Sequence, residues 1–178
     1  MLRHIRLLIY DLDYLVHDCA SLKVLALRKS LMPQADMIPQ NMTLPGAIDA
    51  EDGFLKHGRR WIQHLEIGLN EQNIACLERA YKLHENRLIN CGHGRIFPGI
   101  EEYLSNLEKS DIKCALGAET GRDYLTSVMD RYKLDKFFQV ALCTGEFGMG
   151  ETAEMLLEVL RQAEVNPSEA LVLGTRIH

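Results

Sequence analysis

Apolar runs that end in polar residues alternate with amphipathic stretches along most of this chain. The run Leu7-Leu8-Ile9-Tyr10 stops at Asp11, a pattern that predicts a buried strand. Three later segments are also predicted to be strands: 112–117, 138–142 and 170–174. Three stretches repeat apolar residues at helical spacing: 99–109, 121–133 and 152–163. Strands separated by helices of this length predict right-handed βαβ units and a parallel sheet.

A different rhythm separates the first strand from the others. Apolar residues recur at helical spacing after Asp18 until Pro33 ends the pattern. Residues 33–53 contain three prolines and two glycines, and they are predicted to be mostly loop. Residues 54–89 return to a helical pattern, and the glycines within 91–94 predict a hinge after it.

These patterns together predict an α/β fold, a Rossmann-like parallel sheet core with a helical cap inserted after strand 1. The core is predicted to comprise residues 1–16 and 93–178, and the cap residues 17–92. Open parallel sheets bind ligands at the carboxyl ends of their strands. The residues that follow the first strand are therefore the first candidates for a functional site.

The composition fits a globular protein and excludes several classes of function. Of the 178 residues, 47% are hydrophobic and 25% are charged, which suits a compact core. The net charge of −5 argues against binding to nucleic acid or to an anionic membrane, because either needs clustered positive charge. The apolar run near the N-terminus is too short for a signal peptide, and no run reaches the roughly 20 residues of a membrane span.

The cysteines give no sign of a metal or redox motif. There are five, scattered and without a CxxC pair, so neither a zinc knuckle nor a dithiol site is indicated. Reduced thiols in the cytoplasm are the simplest interpretation. Cys91 and His93 could contact a metal ion, but a glycine-rich hinge explains that segment more simply, because no further ligands lie nearby in the sequence.

Asp11 and Asp13 form an acidic pair at the end of an apolar strand. Side chains at positions i and i+2 of a continuing strand point to the same side, so both could face one substrate. One carboxylate can then attack as a nucleophile while the other transfers a proton to the leaving group. The alternative is structural, because aspartates commonly accept backbone hydrogen bonds in the turn after a strand.

The acidic pair belongs to an ordered series of segments. They are Leu7–Asp13 with Val16 and Asp18, Phe97–Leu104, Ile112–Leu116, Tyr132–Phe138 and Val165–Gly174. In this order they resemble the haloacid dehalogenase superfamily. The insertion after the first strand is similar to the helical cap of its phosphoglycolate phosphatase-like members. The resemblance runs from residue 5 to residue 174 and is weakest in the inserted part.

The resemblance implies a hydrolase that removes phosphate from a small phosphorylated metabolite with the help of magnesium. Asp11 would be the phosphorylated nucleophile, and Asp13 would act as acid and base. Mg²⁺ would be held by Asp11, by the backbone carbonyl of Asp13 and by acidic residues after the fourth core strand. In the family a serine or threonine after the second core strand holds phosphoryl oxygens, and Thr120 lies close enough in the sequence to take that role.

Several positions depart from the family pattern. Tyr14 and Leu15 replace a glycine–threonine pair, Ala118 aligns with the serine or threonine, Gly150 with a lysine, and Thr175 with a metal-side aspartate. Loss of one positioned electrostatic group typically costs roughly 100- to 1000-fold in rate. Magnesium at such a site also needs more than one carboxylate. We therefore expect weak metal binding and an activity that is weak or lost.

Charged residues in neighbouring loops could compensate for these departures. Arg122 and Arg176 follow the second and fourth core strands and could contact phosphate. Glu119 and Glu146 could supply a carboxylate to a metal ion. Four basic residues of the cap could face an anionic substrate: Lys56, His57, Arg59 and Arg60. For each of these residues the alternative is an ordinary solvated position.

Two functions stay open from the sequence. The first is a phosphatase that acts through Asp11, and the second is a catalytically inactive relative that binds a ligand or a protein partner and uses the sheet as a scaffold. The chain ends at His178, so strand 170–174 is expected to form an unpaired sheet edge. Pairing of two copies through that edge would give a homodimer.

Overall fold

A computed structural model describes residues 4–33, 70–147 and 152–174 of the chain. The chain divides into two compact units, one formed by Met1–Asp18 and Arg95–His178 and the other by Cys19–Gly94. The first unit contains the sheet, and the second contains helices in its described part.

Six strands lie in the described part of the first unit. They are β1 (Leu7–Tyr10), β2 (His17–Asp18), β3 (Arg95–Ile96), β4 (Lys113–Ala118), β5 (Val140–Cys143) and β6 (Ala170–Leu173). Four of them form one sheet in the order β5-β4-β1-β6, and every pairing in it is parallel. The two short strands β2 and β3 form a separate antiparallel pair. The predicted α/β fold with a parallel Rossmann-like sheet is confirmed.

The first strand is an inner strand of this sheet. Leu7 pairs with Lys113 of β4 on one side and with Ala170 of β6 on the other. All four residues of β1 are buried. A strand that is covered on both faces needs apolar side chains at every position, which explains an apolar run without alternation.

Five α-helices follow the sequence pattern closely within the described residues. They are α1 (Ala20–Leu31), α2 (Glu71–Asn90), α3 (Ile100–Glu108), α4 (Arg122–Tyr132) and α5 (Thr152–Ala163). The last three lie in the sheet unit, where α5 packs on β4 and β5 and contributes Met155 and Val159 to the core around Leu7 and Ile9. Helix α3 begins after Gly99, whose φ of +86° is a conformation that favours glycine.

The second unit holds α1 and α2, which pack against each other. Helix α2 begins at a capped end, because the Asn70 side chain accepts a 2.8 Å hydrogen bond from the Asn73 amide. Its buried residues include Ile74, Leu77 and Leu88, part of the apolar face that the sequence predicts. None of the described helices is long and apolar enough to cross a bilayer. The predicted loop at 33–53 and the four basic cap residues at 56–60 lie outside the described residues, apart from residue 33.

Candidate functional site

The segment after β1 forms a tight turn at the carboxyl edge of the sheet. The Asp11 amide donates a 2.8 Å hydrogen bond to the Leu173 carbonyl, which extends the pairing of β1 with β6 by one residue. The amides of Val16 and His17 then both donate to the Leu12 carbonyl, at 3.1 and 2.8 Å. The turn therefore holds the two acidic residues at the edge where parallel sheets bind ligands.

Tyr14 is a strained residue within this turn. Its φ is +63°, in the left-handed region that costs a residue with a side chain roughly 1–2 kcal/mol. Its amide donates a 2.9 Å hydrogen bond to the His17 carbonyl, which holds the turn closed. The backbone thus keeps a shape suited to the glycine that the family resemblance implies at this position, although the residue is tyrosine.

The carboxylate of Asp13 is held by a tyrosine from a distant part of the sequence. The Tyr124 hydroxyl, in the first turn of α4, donates a 2.8 Å hydrogen bond to Asp13 Oδ1. The same hydroxyl lies 3.1 Å from Nδ1 of His17. His17 Nδ1 and Asp13 Oδ1 are 3.9 Å apart, too far for a direct hydrogen bond, so the tyrosine connects them. His17 is fully buried and Tyr124 nearly so, whereas the Asp13 side chain keeps 14% of its surface exposed.

Sequence reasoning missed His17 and Tyr124. They are 107 residues apart and contribute to the site only because β2 and α4 meet in the folded sheet unit. A polar group at a buried position is the signal that could have identified Tyr124, since it lies with Leu125 and Val128 on the covered face of its helix. A single sequence does not tell a buried tyrosine that packs from one that bonds to a carboxylate.

Thr120 and Arg122 lie where β4 gives way to α4. The Thr120 amide donates to the Ala118 carbonyl at 2.9 Å, and the Thr120 carbonyl accepts a 3.0 Å hydrogen bond from the Gly145 amide. Arg122 donates from Nη1 to the Ala141 carbonyl at 3.2 Å. These contacts link the loop after β4 to β5 and the turn that follows it, so the candidate phosphate-binding residues belong to one connected group of loops.

Arg122 also forms an ion pair with Glu146. The hydrogen bond to Glu146 raises the pKa of the arginine despite partial burial. Burial alone would raise the pKa of Glu146, but hydrogen bonds from Arg122 and from the Cys143 amide outweigh it and lower that pKa. Both groups are therefore charged at neutral pH, and the negative charge of Glu146 offsets the positive charge of Arg122. The sequence suggested Arg122 as a ligand for phosphate and Glu146 as a ligand for a metal ion, but in the structure the two side chains contact each other.

Glu119 is engaged as well. Its Oε1 atom accepts a 3.0 Å hydrogen bond from the Thr152 hydroxyl at the start of α5. This contact ties the loop after β4 to a helix of the core. The structure thus gives a structural role to the second carboxylate that the sequence suggests for metal binding.

The remaining sequence candidates fall into two groups. Gly150, Thr175 and Arg176 lie outside the described residues. Cys91 and His93 lie directly after the end of α2, where their amides donate to the carbonyls of Arg87 and Leu88 at 2.9 Å each. Within the part of the chain that the structure describes, the group of potential metal ligands that is found includes neither of them.

A metal ion at this edge would depend on the residues after β1. Mg²⁺ prefers oxygen ligands and keeps several waters, and the Asp11 carboxylate with the Asp13 carbonyl supplies oxygens of that kind. The Asp13 carboxylate and the His17 ring also have potential ligand atoms within 4.8 Å of one another. Glu119 and Glu146 are bound to other groups in the described structure. The donor set therefore fits weak magnesium binding.

Comparison with known proteins gives a consistent result. A family model described as haloacid dehalogenase-like hydrolase matches residues 8–178. Among curated proteins, none matches the chain's sequence. The family predicted from the ordered segments is confirmed.

Solved structures match the fold over nearly the whole chain. A protein described as a haloacid dehalogenase-like hydrolase from Bacteroides fragilis is 18% identical, with 97% of this chain and 79% of that one covered at a TM-score of 0.79. One described as a phosphoglycolate phosphatase from Haemophilus somnus 129PT is 14% identical, with 98% and 78% covered and a TM-score of 0.80. CbbY from Rhodobacter sphaeroides, solved in complex with phosphate, is 15% identical, with 94% and 76% covered and a TM-score of 0.74. At these identities the likeness shows the fold alone.

Proposed function

We propose, because the chain belongs to the haloacid dehalogenase-like hydrolase family, that it is a slow phosphohydrolase of small phosphorylated metabolites with Asp11 as its nucleophile. The observation that carries the proposal is the placement of two carboxylates after an inner strand of a parallel sheet, with one of them held by Tyr124. CbbY, a protein with a similar fold, was solved in complex with phosphate, which supports the proposal that this chain acts on a phosphorylated substrate.

The proposed reaction divides between the two aspartates. Asp11 attacks the phosphorus atom and forms an aspartyl phosphate, while Asp13 gives a proton to the oxygen of the leaving alcohol. Asp13 then takes a proton from the water that hydrolyses the aspartyl phosphate, which restores both carboxyl groups and releases inorganic phosphate. Magnesium, when bound by Asp11 and the Asp13 carbonyl, would neutralise charge on the phosphoryl oxygens.

Phosphate recognition is the weak part of this site. Thr120 and Arg122 are the proposed substrate-binding residues, but Arg122 already shares its charge with Glu146. Phosphoryl transfer depends mainly on positioning and on neutralisation of charge. A guanidinium that is partly neutralised, together with glycine in place of the family's lysine at residue 150, supports slow turnover.

The decisive experiment measures phosphate release from an aryl phosphate and an alkyl phosphate with added magnesium. We expect slow, magnesium-dependent release that Asp11→Asn reduces to background, because an amide does not attack phosphorus. The matched control is Asp111→Asn, an exposed aspartate before β4 that lies in the same unit. Turnover that persists unchanged in Asp11→Asn would reject the nucleophile.

A second candidate function is ligand binding without turnover. The Arg122–Glu146 ion pair and the tyrosine in the left-handed turn favour it, since both depart from what efficient phosphoryl transfer needs. Binding of inorganic phosphate in calorimetry, with no release from a broad phosphate panel, would support this function over the first.

The partner and the compartment are also proposals. Strand β6 pairs only with β1 among the described strands, and Leu171 and Val172 on it are 38% and 53% exposed. A second copy could pair along this edge, because exposed backbone groups of an edge strand accept another strand. We expect light scattering to show a dimer for the wild-type protein and a monomer for Val172→Lys. A monomeric wild-type protein would reject the proposed dimer. None of the five cysteines, all of which lie in the described part of the chain, forms a disulfide, which supports the proposal of a reducing cytoplasmic compartment.

A further inference from the structure

The Tyr124 hydroxyl lies between an acidic residue and a histidine and can donate only one hydrogen. It donates that hydrogen to Asp13 Oδ1 at 2.8 Å. Its contact with His17 Nδ1 at 3.1 Å must then have the ring nitrogen as donor and the hydroxyl oxygen as acceptor. The three groups form a chain with one direction, from His17 through Tyr124 to Asp13.

The surroundings of His17 favour the same direction. The ring is fully buried, and its Nε2 atom has no hydrogen-bond partner among the described residues. A proton on Nε2 would leave a buried donor unsatisfied, whereas a bare Nε2 leaves only a weak acceptor without a partner. The ring is also packed against Tyr132, with centroids 5.5 Å apart, so it is held in place on another side. Its Nδ1–H form is therefore the one that the site accommodates.

We infer that Tyr124 is a positioning residue for the Asp13 carboxylate and that His17 orients the Tyr124 hydroxyl. The hydrogen bond holds Oδ1 and so fixes the orientation of the carboxyl group that is proposed to transfer a proton at the leaving group. The catalytic consequence depends on the proposed function, whereas the direction of the chain does not. The sequence predicted a functional role for neither Tyr124 nor His17.

The kinetic test compares two tyrosines on the same helix that contact the same histidine. Tyr124→Phe removes the bridging hydroxyl, and Tyr132→Phe removes a hydroxyl from the other ring packed against His17. We expect Tyr124→Phe to lower kcat for an alkyl phosphate by roughly 10- to 100-fold with little change in KM, the loss usual for groups that support a reactive residue. An aryl leaving group needs little protonation, so its kcat should fall much less.

If Tyr124 had a role in folding alone, Tyr124→Phe would lower kcat equally for the alkyl and the aryl phosphate, or Tyr132→Phe would cause the same loss. Either result overturns the inference. The histidine offers a rescue. In His17→Asn the side-chain amide can donate from about the position of Nδ1, so this variant should keep more alkyl-phosphate turnover than His17→Leu. Equal turnover in the two variants, at matched thermal stability, would count against His17 as the orienting group.

A spectroscopic readout separates this inference from the proposed function. Nitrogen-15 spectra of the full-length protein should show His17 protonated at Nδ1, and Tyr124→Phe should disturb that state while Tyr132→Phe preserves it. Protonation at Nε2 in the wild type overturns the chain of hydrogen bonds. Full turnover in Asp11→Asn would instead reject Asp11 as the nucleophile, and the histidine spectra would still decide whether the hydrogen bonds run from His17 through Tyr124 to Asp13.

Discussion

Two regions at the same edge of the sheet differ in the partners of their charged side chains. The β1 loop, residues 11–16, presents a carboxylate that accepts a hydrogen bond from the neutral Tyr124 hydroxyl. The β4–β5 loops, residues 119–122 and 144–147, pair their charged groups with each other through Arg122 and Glu146. A neutral donor orients the Asp13 carboxyl group, which is proposed to transfer a proton, whereas the ion pair reduces the net charge of both Arg122 and Glu146.

In the proposed function, this difference separates two halves of a phosphoryl-transfer site. The β1 loop carries the groups that are proposed to make and break bonds, and the β4–β5 loops carry no net positive charge to hold the phosphoryl oxygens. Because both requirements must be met for fast turnover, a well-built first half does not compensate for the second. Substitutions in each half should therefore have separable effects on turnover and on phosphate binding.

The largest effect is expected from Asp13→Asn in the β1 loop. Loss of general acid–base catalysis should lower kcat for an alkyl phosphate by at least about 100-fold. Asp18→Asn is the matched control, because Asp18 follows closely in the sequence but bonds to Arg95 at 2.9 Å. Steady-state kinetics on both variants checks this, and comparable losses in the two would show that the β1 loop is sensitive to any change in charge.

A smaller gain is expected from returning positive charge to the phosphate-binding half with Gly150→Lys. One positioned donor is typically worth roughly 100- to 1000-fold in kcat. We expect a smaller gain, about 10-fold in kcat/KM, because neighbouring residues are not arranged to position a lysine here. Gly148→Lys adds the same charge two residues away and serves as the control. An equal gain in both variants would indicate general attraction of the anionic substrate, and no gain in either would place the deficit elsewhere.

Glu146→Gln should release Arg122 from its ion pair. The glutamine can still accept the hydrogen bond from the Cys143 amide, which Glu146 accepts at 2.9 Å, so the turn is retained. We expect inorganic phosphate to bind about 3- to 5-fold more tightly, equivalent to roughly 1 kcal/mol. Calorimetric titration measures it.

The control for this substitution is Glu158→Gln, which removes a carboxylate paired with Arg161 on the exposed surface of α5. It makes the same change in net charge away from the loops. If phosphate affinity rises equally in the two variants, the Arg122–Glu146 ion pair does not limit phosphate binding, and the contrast between the two regions loses its basis.

The smallest effect concerns the strain in the β1 loop. Tyr14→Gly and Tyr14→Ala both remove the ring, but only glycine adopts a φ of +63° without steric cost. We expect the glycine variant to be more stable than the alanine variant by about 1 kcal/mol in denaturant unfolding. An alanine variant of equal or greater stability would show that the turn relaxes when the tyrosine is removed.

The fold was predictable because its signals are local. The strand at 7–10 has an uninterrupted apolar run, and α5 has apolar residues at regular helical spacing, so each could be assigned from neighbouring residues alone. The uninterrupted apolar run also predicted that this strand is buried, and its place between β4 and β6 explains the burial. Asp11 and Asp13 were identified as candidates for the same reason, because they directly follow an apolar strand.

The contacts around these residues were not predictable. Arg122 and Glu146 lie in separate loops, and sequence reasoning assigned them to different ligands because nothing local shows that they pair. His17 and Tyr124 meet across more than half of the chain. Hydrogen bonds between distant side chains depend on the exact placement of backbone elements, whereas strand and helix patterns depend only on which faces are buried.

The pairing of β1 with β6 has a consequence for how the site is assembled. The Asp11 amide is bonded to the carbonyl of Leu173, near the far end of the described chain. Before β6 docks, β1 lacks one of its two neighbours in the sheet. During synthesis, residues 7–10 leave the ribosome long before residues 170–173, so the backbone at Asp11 would reach its final pairing only after β6 has emerged.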